Sequence, residues 1–229
     1  MDKLGSHISH QFEEELQDIR TQVMAMGGLV EKQLADALIS LSDQNAELAE
    51  IVTSSDYKVN AMEVDIDEQC TQILARRQPT ASDLRLVVAV IKTITDLERI
   101  GDESERVARM SLQFAETHGD KKKLMGILTL GEHVRTMLHG ALDAFARMDT
   151  DAALSVAQAD SKADQEYERI LRESMTYMME DPRTIPTILN IMWSARSLER
   201  IGDRAKNICE YVIYLVKGKD VRHTHYGDE

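Results

Sequence analysis

Two identical hexapeptides, each pairing a glutamate with an aspartate four residues later, are the clearest candidates for chemistry in this sequence. The letters LERIGD occur at Leu97–Asp102 and again at Leu198–Asp203. Because successive residues of an α-helix are about 100° apart, Glu98 and Asp102 lie within about 40° of each other. Ile91 falls between them on the helical wheel, so this acid pair is predicted on the side of the helix that buries apolar residues. The second copy predicts the same arrangement for its own glutamate and aspartate.

The helix that precedes each hexapeptide carries acids of its own at positions where the helical spacing predicts apolar residues. In the first half, Asp56 and Glu63 interrupt a seam of apolar residues spaced three and four apart, and Asn60 lies beside them. In the second half the corresponding acids are Asp160, Asp164 and Glu168. Each half of the chain therefore offers two facing helices with oxygen-bearing side chains one helical turn apart.

Metal binding is the chemistry that this pattern favours. Buried carboxylates without partners are costly, and they are normally protonated, paired with a cation or bound to a metal. Oxygen ligands without cysteine or histidine suit hard or borderline cations, namely Mg²⁺, Mn²⁺, Ca²⁺ or iron, with Zn²⁺ kept as a further possibility. No catalytic residue is predicted. The predicted metal ligands are Glu98, Asp102, Glu199, Asp203, Asp56, Asn60, Glu63, Asp160, Asp164 and Glu168.

Two features of these helices have simpler explanations that must be weighed. An arginine could neutralise the acids without any metal, and Arg76, Arg77 or Arg85 could supply it. The glycines of the hexapeptides, Gly101 and Gly202, each cost about 1 kcal/mol relative to alanine inside a helix. Neither glycine follows a strand or has the spacing of a phosphate-binding loop. We therefore expect them to let a neighbouring helix approach closely.

The elements that must position these residues are all helical. Aromatic residues make up only 4% of the chain and there are three prolines, which favours helices over sheet. Helix-capping residues, glycines and prolines divide the chain into long apolar-periodic segments. The predicted helices span Ile8–Leu41, Ala46–Arg77, Thr80–Thr117, Lys121–Met148, Asp151–Glu180 and Pro182–Lys217. Long helices with short connections fold back as antiparallel neighbours, so an all-α helical bundle is predicted.

The duplicated hexapeptide indicates an internal repeat of three helices. The two copies are 101 positions apart, and the preceding stretches DYKVN and DSKAD, at Asp56–Asn60 and Asp160–Asp164, are 104 positions apart. The first helices of the two halves match poorly in sequence. We predict two homologous three-helix bundles in tandem, over residues 1–118 and 119–217, followed by a flexible tail over residues 218–229.

The composition limits which binding partners and which cellular compartment are expected. The formal net charge of −13 disfavours nucleic acid, which needs a basic face. No stretch resembles a signal peptide, and the longest apolar run is too short to span a bilayer. The two cysteines, Cys70 and Cys209, lack metal-site spacing and are expected to be buried thiols in a reducing compartment. A soluble cytoplasmic protein is the expectation.

Several stretches of the sequence match one known family along nearly the whole chain. They are HISHQFEEELQDIRTQVMAMGG, ARRQPTASDLRL, TDLERIGD, LDAFARMD, YMMEDPRTIP and SLERIGDRAKNICE. On these residues the chain resembles the PhoU family, regulatory proteins of bacterial phosphate-specific transport and phosphate-starvation signalling. The resemblance implies two tandem three-helix bundles with multinuclear metal sites on a motif of Glu or Asp followed four residues later by Asp.

The family motif can be carried over to most, but not all, of the matching positions. The resemblance implies metal ligands at Glu98/Asp102, Glu199/Asp203 and Asp160/Asp164. The fourth instance departs from the motif, because Asp56 is followed by Asn60. An amide oxygen can still bind a metal, but one negative charge is lost, and the first-half site is therefore expected to be weaker or to hold fewer ions.

The resemblance also implies partners. They are a membrane-bound sensor histidine kinase of phosphate starvation and the ATP-binding subunit of the phosphate ABC transporter. Contact with the membrane is implied only through these partners, and we expect a homodimer formed through the long helices. The function implied is negative regulation: the protein keeps the kinase signal off when phosphate is plentiful and restrains phosphate uptake.

Three functional hypotheses follow. The first is a non-enzymatic adaptor, since the sequence has no recognisable nucleophile motif or phosphate loop. The second is a di-metal carboxylate enzyme of the ferritin-like kind, which places Glu-x-x-His on two helices, but none of the seven histidines has a glutamate three residues before it. The third is a metal-free helical scaffold whose acids pair with arginines.

Overall fold

The chain folds into long antiparallel helices, as predicted, in a computed structural model that describes residues 2–116 and 121–221. No strand occurs within those residues. Short 3₁₀ turns at Lys121–Leu124 and Pro182–Thr184 precede the fifth and seventh helices. The α-helices are α1 (Asp2–Asp43), α2 (Ala46–Ser55), α3 (Tyr57–Arg77), α4 (Ala81–Glu116), α5 (Met125–Arg147), α6 (Thr150–Glu180) and α7 (Ile185–Lys217).

Two sequence predictions lie partly or wholly outside the described residues. The predicted tail over residues 218–229 is described only as far as Val221, and the predicted boundary at residues 118 and 119 falls in the gap between α4 and the 3₁₀ turn. Both stay predictions. Over the part of the chain that is described, no helix has an apolar stretch long enough to cross a membrane.

Capping side chains and a glycine fix the ends of the second-half helices. The Asp149 carboxylate accepts from the backbone N–H groups that open α6, at 3.0 Å from Ala152. Asp181 accepts from the N–H of Arg183 at 3.1 Å, directly before the 3₁₀ turn that leads into α7. Gly218 ends α7 with a φ of +67°, a conformation that favours glycine. These ends confirm the predicted stops.

The predicted second helix is not continuous, and this is a correction. It is divided at Asp56 into α2 and α3. The hydroxyls of Ser54 and Ser55 bond back to the carbonyls of Ile51 and Val52, at 3.2 and 3.1 Å. Such side-chain bonds compete with the regular helical ladder and loosen it at this point. Asp56 therefore lies at a helix junction rather than inside a helix.

Each set of three predicted helices packs as a bundle, and the two bundles meet through equivalent helices. In the first half α1, α2, α3 and α4 pack together, and in the second half α5, α6 and α7 do. The bundles join where α4 packs on α7 and α1 packs on α5. The apolar residues of both hexapeptides are fully buried in this core: Leu97, Ile100, Leu198 and Ile201. The fold is therefore that of two related bundles with one continuous core.

Glycine–leucine pairs at the crossing of α1 and α5 show that the first helices are equivalent, although their sequences match poorly. A Cβ atom at Gly27 would lie 2.5 Å from Leu142 Cδ2, and one at Gly131 would lie 2.3 Å from Leu38 Cδ2. The glycines are 104 positions apart, and so are the leucines. The two contacts are thus related by the internal repeat, and both require glycine for the helices to approach this closely.

Buried charges link α4 to α7, and the sequence analysis did not identify them. Asp96 on α4 is 3% exposed and accepts from Tyr211 at 2.8 Å and from Arg204 at 3.1 Å. Glu103, one turn beyond the hexapeptide glutamate on the opposite side of α4, is also buried, and it accepts from Arg200 of α7 at 3.0 Å. The two bundles are therefore joined by ion pairs as well as by apolar packing.

The two cysteine thiols should be unreactive in the folded protein. Cys70 and Cys209 are fully buried and unbonded to each other, and burial raises the pKa of each thiol to about 12. Because the thiolate is the reactive form, neither should be alkylated by iodoacetamide at about pH 8, whereas both should react in guanidinium chloride. Mass spectrometry of the native and denatured samples measures this, and rapid labelling of the native protein would contradict it.

Candidate metal centre

The first-half site is built where the α2–α3 junction approaches α4 at Gly101. A Cβ atom at Gly101 would lie 3.1 Å from Asp56 Oδ1 and 3.3 Å from Gln33 Oε1. The hexapeptide glycine thus brings a carboxylate and an amide from two neighbouring elements against the α4 backbone. This confirms the prediction that the glycine allows close approach of neighbouring helices.

Gln33 is a buried polar residue that the sequence analysis missed. It projects from α1, is 3% exposed, and lies next to Asp56. Neither of its amide atoms has a hydrogen-bond partner of regular geometry, and neither does Asp56 Oδ1. Buried polar atoms without partners are rare in folded proteins, because each loses its hydration. The only sequence signal for Gln33 is a polar residue at an otherwise apolar helical position.

Negative charge accumulates around Asp56. Burial is the main cause that raises the pKa of Asp56, and the neighbouring Asp102 and Glu105 carboxylates raise it further. The amides of Asn60 and Gln33 offset this only in part. Asn60 itself is exposed and donates to Asp56 Oδ2 at 3.4 Å. The carboxylate of Asp56 therefore lies among acceptors and like charges.

Glu98 and Asp102 form the outer part of the same cluster. Burial raises the pKa of Glu98, with further increases from Asp102, Glu63 and Asp56, while Arg99 lowers it. The Arg99 guanidinium lies 3.4 Å from Glu98 and 3.7 Å from Asp102, on the more exposed side. Glu63, Glu98 and Asp102 are half-buried rather than fully buried.

The second-half site contains a lysine that pairs with its seam acid, Asp160. Asp160 is 4% exposed and lies 3.6 Å from the position of a Cβ at Gly202, matching the relation between Asp56 and Gly101. Lys206 Nζ donates to Asp160 Oδ2 at 2.8 Å. Val134, rather than an amide side chain, lies on the other side of Gly202, at 3.6 Å. Asp160 is therefore neutralised within the protein.

The remaining second-half acids surround this ion pair. Partial loss of hydration beside neighbouring side chains is the main cause that raises the pKa values of Asp164, Glu199 and Asp203, and the carboxylates raise one another's pKa as well. Lys206 lowers the pKa of both Asp164 and Asp203. Glu199 accepts from the Arg196 guanidinium at 2.7 Å.

The structure brings together most of the predicted ligands but exposes several of them. Asp56, Glu63, Glu98 and Asp102 meet in one cluster, and Asp160, Asp164, Glu199 and Asp203 in the other. Asn60, Asp164, Asp203 and Glu168 are exposed, contrary to the seam expected from spacing. Glu168 pairs with Arg172 on the surface at 3.4 Å.

Of the arginines proposed from the sequence to neutralise the acids, Arg77 and Arg85 bind elsewhere, and Arg76 acts on Glu15, lowering its pKa. Arg77 forms two hydrogen bonds to Glu15, at 2.9 and 2.7 Å, and Arg85 donates to the Leu215 carbonyl at 3.4 Å. The cations that lie on the clusters are Arg99, Arg196 and Lys206. Of these, Lys206 could be found from the sequence by following the repeat past the hexapeptides, where Glu105 and Lys206 occupy equivalent positions with opposite charge.

The first-half residues fit an oxygen-binding cation. Across residues 2–116 and 121–221, no three His, Cys, Asp or Glu side chains are placed so that they could hold a metal ion together, so any site here must also use the amide oxygen of Gln33 or a shift of side chains. Asp56 Oδ1 and Gln33 Oε1 are buried acceptors without a hydrogen bond of regular geometry, and Asp102 and Glu98 lie beside them. A hard cation would supply the positive charge that this group of oxygens lacks.

The raised pKa of Asp56 predicts a pH dependence of stability. A carboxyl whose pKa is raised on folding stabilises the protein below its unfolded pKa, and this contribution is lost as the pH rises through the folded pKa. In EDTA, we therefore expect Asp56→Asn to have a higher Tm than the wild type at about pH 7, with the difference shrinking towards about pH 4. Thermal melts followed by circular dichroism measure this, and a difference that widens in acid would contradict it.

The comparisons with known proteins agree on one family. The PhoU domain matches residues 23–111 and 127–212, once in each half of the chain. The phosphate-specific transport system accessory protein PhoU of Serratia marcescens is 56% identical over 220 residues, covering 96% of this chain and 90% of that protein. The crystal structure of PhoU from Pseudomonas aeruginosa is 54% identical with a TM-score of 0.89, covering 91% of this chain and 100% of that one. The crystal structure of the phosphate transport system regulatory protein PhoU from Streptococcus pneumoniae has a TM-score of 0.84 at 31% identity, covering 92% of this chain and 99% of that one.

Proposed function

Because this chain belongs to the PhoU family, we propose that it is a regulatory accessory protein of a phosphate-specific transport system. The observation that carries the proposal is the 56% identity to the Serratia marcescens accessory protein over 96% of this chain. The role is that of a cytoplasmic adaptor without enzymatic activity. It acts as a homodimer on two partners, the ATP-binding subunit of the phosphate ABC transporter and the sensor histidine kinase of phosphate starvation.

Negative regulation is the proposed outcome of these contacts. When phosphate is plentiful, the adaptor couples the state of the transporter to the kinase, keeps two-component signalling off and restrains phosphate uptake. The long helices and the linked bundles support this role, because they offer extended surfaces on a firmly joined framework. The name of the Streptococcus pneumoniae neighbour, a regulatory protein of phosphate transport, supports it as well.

A reporter experiment tests this proposal. The chain is expressed in a bacterium that lacks its own PhoU protein and carries a reporter induced by phosphate starvation. We expect the reporter to be silent in phosphate-rich medium, and purified tagged protein to retain both the kinase and the transporter ATPase. A folded protein that binds neither partner and leaves the reporter on would overturn the proposal.

Metal binding is a further part of the proposed function. The residues that would hold a cation in the first half are Asp56, Glu98 and Asp102, with oxygens of Gln33, Asn60 and Glu63 beside them. A bound cation would supply charge neutralisation at the point where α1, the α2–α3 junction and α4 meet. The proposal is supported by the buried acceptors without a hydrogen bond of regular geometry, and Mg²⁺, Mn²⁺, Ca²⁺, Zn²⁺ and iron are the candidates.

The metal-free scaffold is the competing explanation, and the ion pairs from Arg99, Arg196 and Lys206 favour it at some positions. Elemental analysis of untagged protein discriminates between the two. We expect bound metal that disappears when Glu98 and Asp102 are replaced by alanine. Folded wild-type protein without metal, and without affinity for added Mn²⁺, would favour the scaffold.

A further inference from the structure

We propose that the two carboxylate clusters are not equivalent: the first-half cluster binds a divalent cation, whereas the Lys206 ammonium takes the place of that cation in the second half. This inference rests on the metal-binding part of the proposed function. It reverses the expectation from sequence, in which the loss of one acid at Asn60 made the first-half site the weaker one.

The internal repeat defines which positions are equivalent. Continuing the alignment of the two hexapeptides, Glu105 follows Asp102 by three residues and Lys206 follows Asp203 by three residues. Both lie one turn past the hexapeptide glycine, on helices that pack against the seam acid of their own half. A negative charge in one cluster is thus replaced by a positive charge in the other.

The contacts of Lys206 place its charge inside the second cluster. Its Nζ lies 2.8 Å from Asp160 Oδ2, and both side chains are shielded from solvent, at 33% and 5% exposed. The same ammonium also acts on Asp164 and Asp203, because it lowers the pKa of each. One tethered cation therefore serves three carboxylates, which is what a bound metal ion would otherwise do.

Within residues 2–116 and 121–221, Asp56 forms no ion pair with a lysine or an arginine. The influences on Asp56 come from the acids Asp102 and Glu105 and from two neutral amides. Arg99 contacts Glu98 and Asp102 only, and its side chain is 57% exposed. Glu105 itself is bonded to Arg109 on the exposed side of α4. The negative charge of Asp56 is therefore not balanced by a cationic side chain, and a bound divalent cation would balance it.

An independent observation points to a ligand at this place. Gln33 is 97% buried, lies beside Asp56 across the Gly101 backbone, and makes no hydrogen bond of regular geometry through either amide atom, although it is close enough to Asp56 to lower the pKa of that carboxyl. By the shift of 104 positions that relates Gly27 to Gly131, its equivalent in the second half is the apolar Met137, which is 2% exposed, and Val134 is the side chain that lies against the hexapeptide glycine there. The first half thus has a buried amide oxygen beside Asp56, whereas the buried oxygen without a hydrogen bond in the second half is Glu199 Oε2 of the hexapeptide.

The consequence is a difference in affinity for the same cation. A divalent ion at the second cluster must either displace Lys206 from Asp160 or bind beside a like charge within a few ångströms, and both weaken binding. At the first cluster no displacement is needed. The full chain should therefore bind Mn²⁺ mainly in its first half.

Mn²⁺ binding to the full chain tests this directly. Electron paramagnetic resonance of free Mn²⁺ gives the amount bound, and the site is located by comparing Asp56→Asn with Asp160→Asn. We expect Asp56→Asn to weaken the tightest binding about tenfold or more, and Asp160→Asn to leave it unchanged. Glu105→Lys should weaken it to a similar extent. Glu105→Gln replaces that variant if it does not fold, and should cause a smaller loss.

A variant that is expected to gain a Mn²⁺ site in the second half provides the complementary test. Lys206→Gln should add Mn²⁺ binding that is lost again in Lys206→Gln/Asp160→Asn. Lys162→Gln is the matched control, because Lys162 lies on the exposed surface of α6 and pairs only loosely with Glu166, at 3.9 Å. This control should bind as the wild type does. Circular dichroism confirms that each variant is folded.

The outcomes separate this inference from the proposed function. If Asp160→Asn weakens wild-type binding as much as Asp56→Asn does, or if Lys206→Gln adds no binding, the inference is wrong while metal binding stands. If no variant and no wild-type sample binds Mn²⁺, the metal part of the proposed function fails and the inference fails with it. The reporter assay and the partner-binding assay test the regulatory role separately.

Discussion

Replacing Gly27 and Gly131 by valine is expected to lower the free energy of unfolding by about 2 kcal/mol at each site and by about 4 kcal/mol together. A Cβ at either position would lie 2.5 Å or less from a leucine Cδ2 of the opposite helix, so the buried leucine must leave its position or α1 and α5 must move apart. The effects should add, because the two contacts are 11 residues, or about 16 Å, apart along each helix. Urea unfolding of the three variants measures this.

Gly28 provides the control for this prediction, since it is the next residue in the same helix. No atom lies within 4 Å of a Cβ placed there. Gly28→Ala should therefore stabilise the protein by about 0.5–1 kcal/mol, because alanine is the better helix former. Valine substitutions at Gly27 and Gly131 that are neutral would show that the bundles do not meet through these contacts.

Replacing Arg204 by methionine should be the most damaging single loss of a charged group. Asp96 is buried, and without Arg204 it keeps only Tyr211 and Asn207 as donors. Removing one partner of a buried ion pair typically costs about 3–5 kcal/mol, but Arg204 is itself 42% exposed, so we expect a loss of about 2 kcal/mol. Urea unfolding at neutral pH measures it.

A second variant and a surface control make this result specific. In an Asp96→Asn background the charge that needs compensation is gone, so Arg204→Met should cost less than about 1 kcal/mol. Arg169→Met, which removes an exposed pair with Glu173, should change stability by no more than about 0.5 kcal/mol. If Arg204→Met lowers the free energy of unfolding equally in both backgrounds, the ion pair does not stabilise the packing of α4 on α7.

Together these contacts describe how the two halves are held. The crossing of α1 and α5 depends on shape, through glycines that admit leucines. The packing of α4 on α7 adds paired charges at Asp96 and Glu103. Each metal-site candidate takes its hexapeptide acids from one of these two helices, Glu98 and Asp102 from α4 and Glu199 and Asp203 from α7. A cation bound at Asp56 would therefore act on the helix that also contacts the other bundle.

Much of the helical architecture could be predicted because it is encoded locally. Apolar periodicity and caps such as Asp149, Asp181 and Gly218 act within a few residues of themselves. The family resemblance likewise rests on short sequence motifs. The division at Asp56 escaped prediction because it depends on two serine hydroxyls that bond back to the helix rather than outward.

The candidate site was only partly predictable. Helical spacing placed Glu98 beside Asp102 and identified the seam acids, since these relations are fixed by one helix. Helical spacing could not predict which arginine or lysine pairs with which acid. Arg77 was a reasonable partner for the seam on the sequence, yet it binds Glu15 on α1, while Lys206 reaches Asp160 from a separate helix.

The sequence by itself determined the helices, their repeat in two halves, the family and the acids that are candidate metal ligands, because periodicity, capping and motifs are properties of neighbouring residues. Only the tertiary structure decided that Gln33 lies buried against Asp56, that Lys206 neutralises Asp160, and that Asp96 and Glu103 join the bundles. These contacts cross between helices far apart in the chain. Their geometry depends on how closely the helices pack, and two glycines at a crossing or one at a hexapeptide can set that distance.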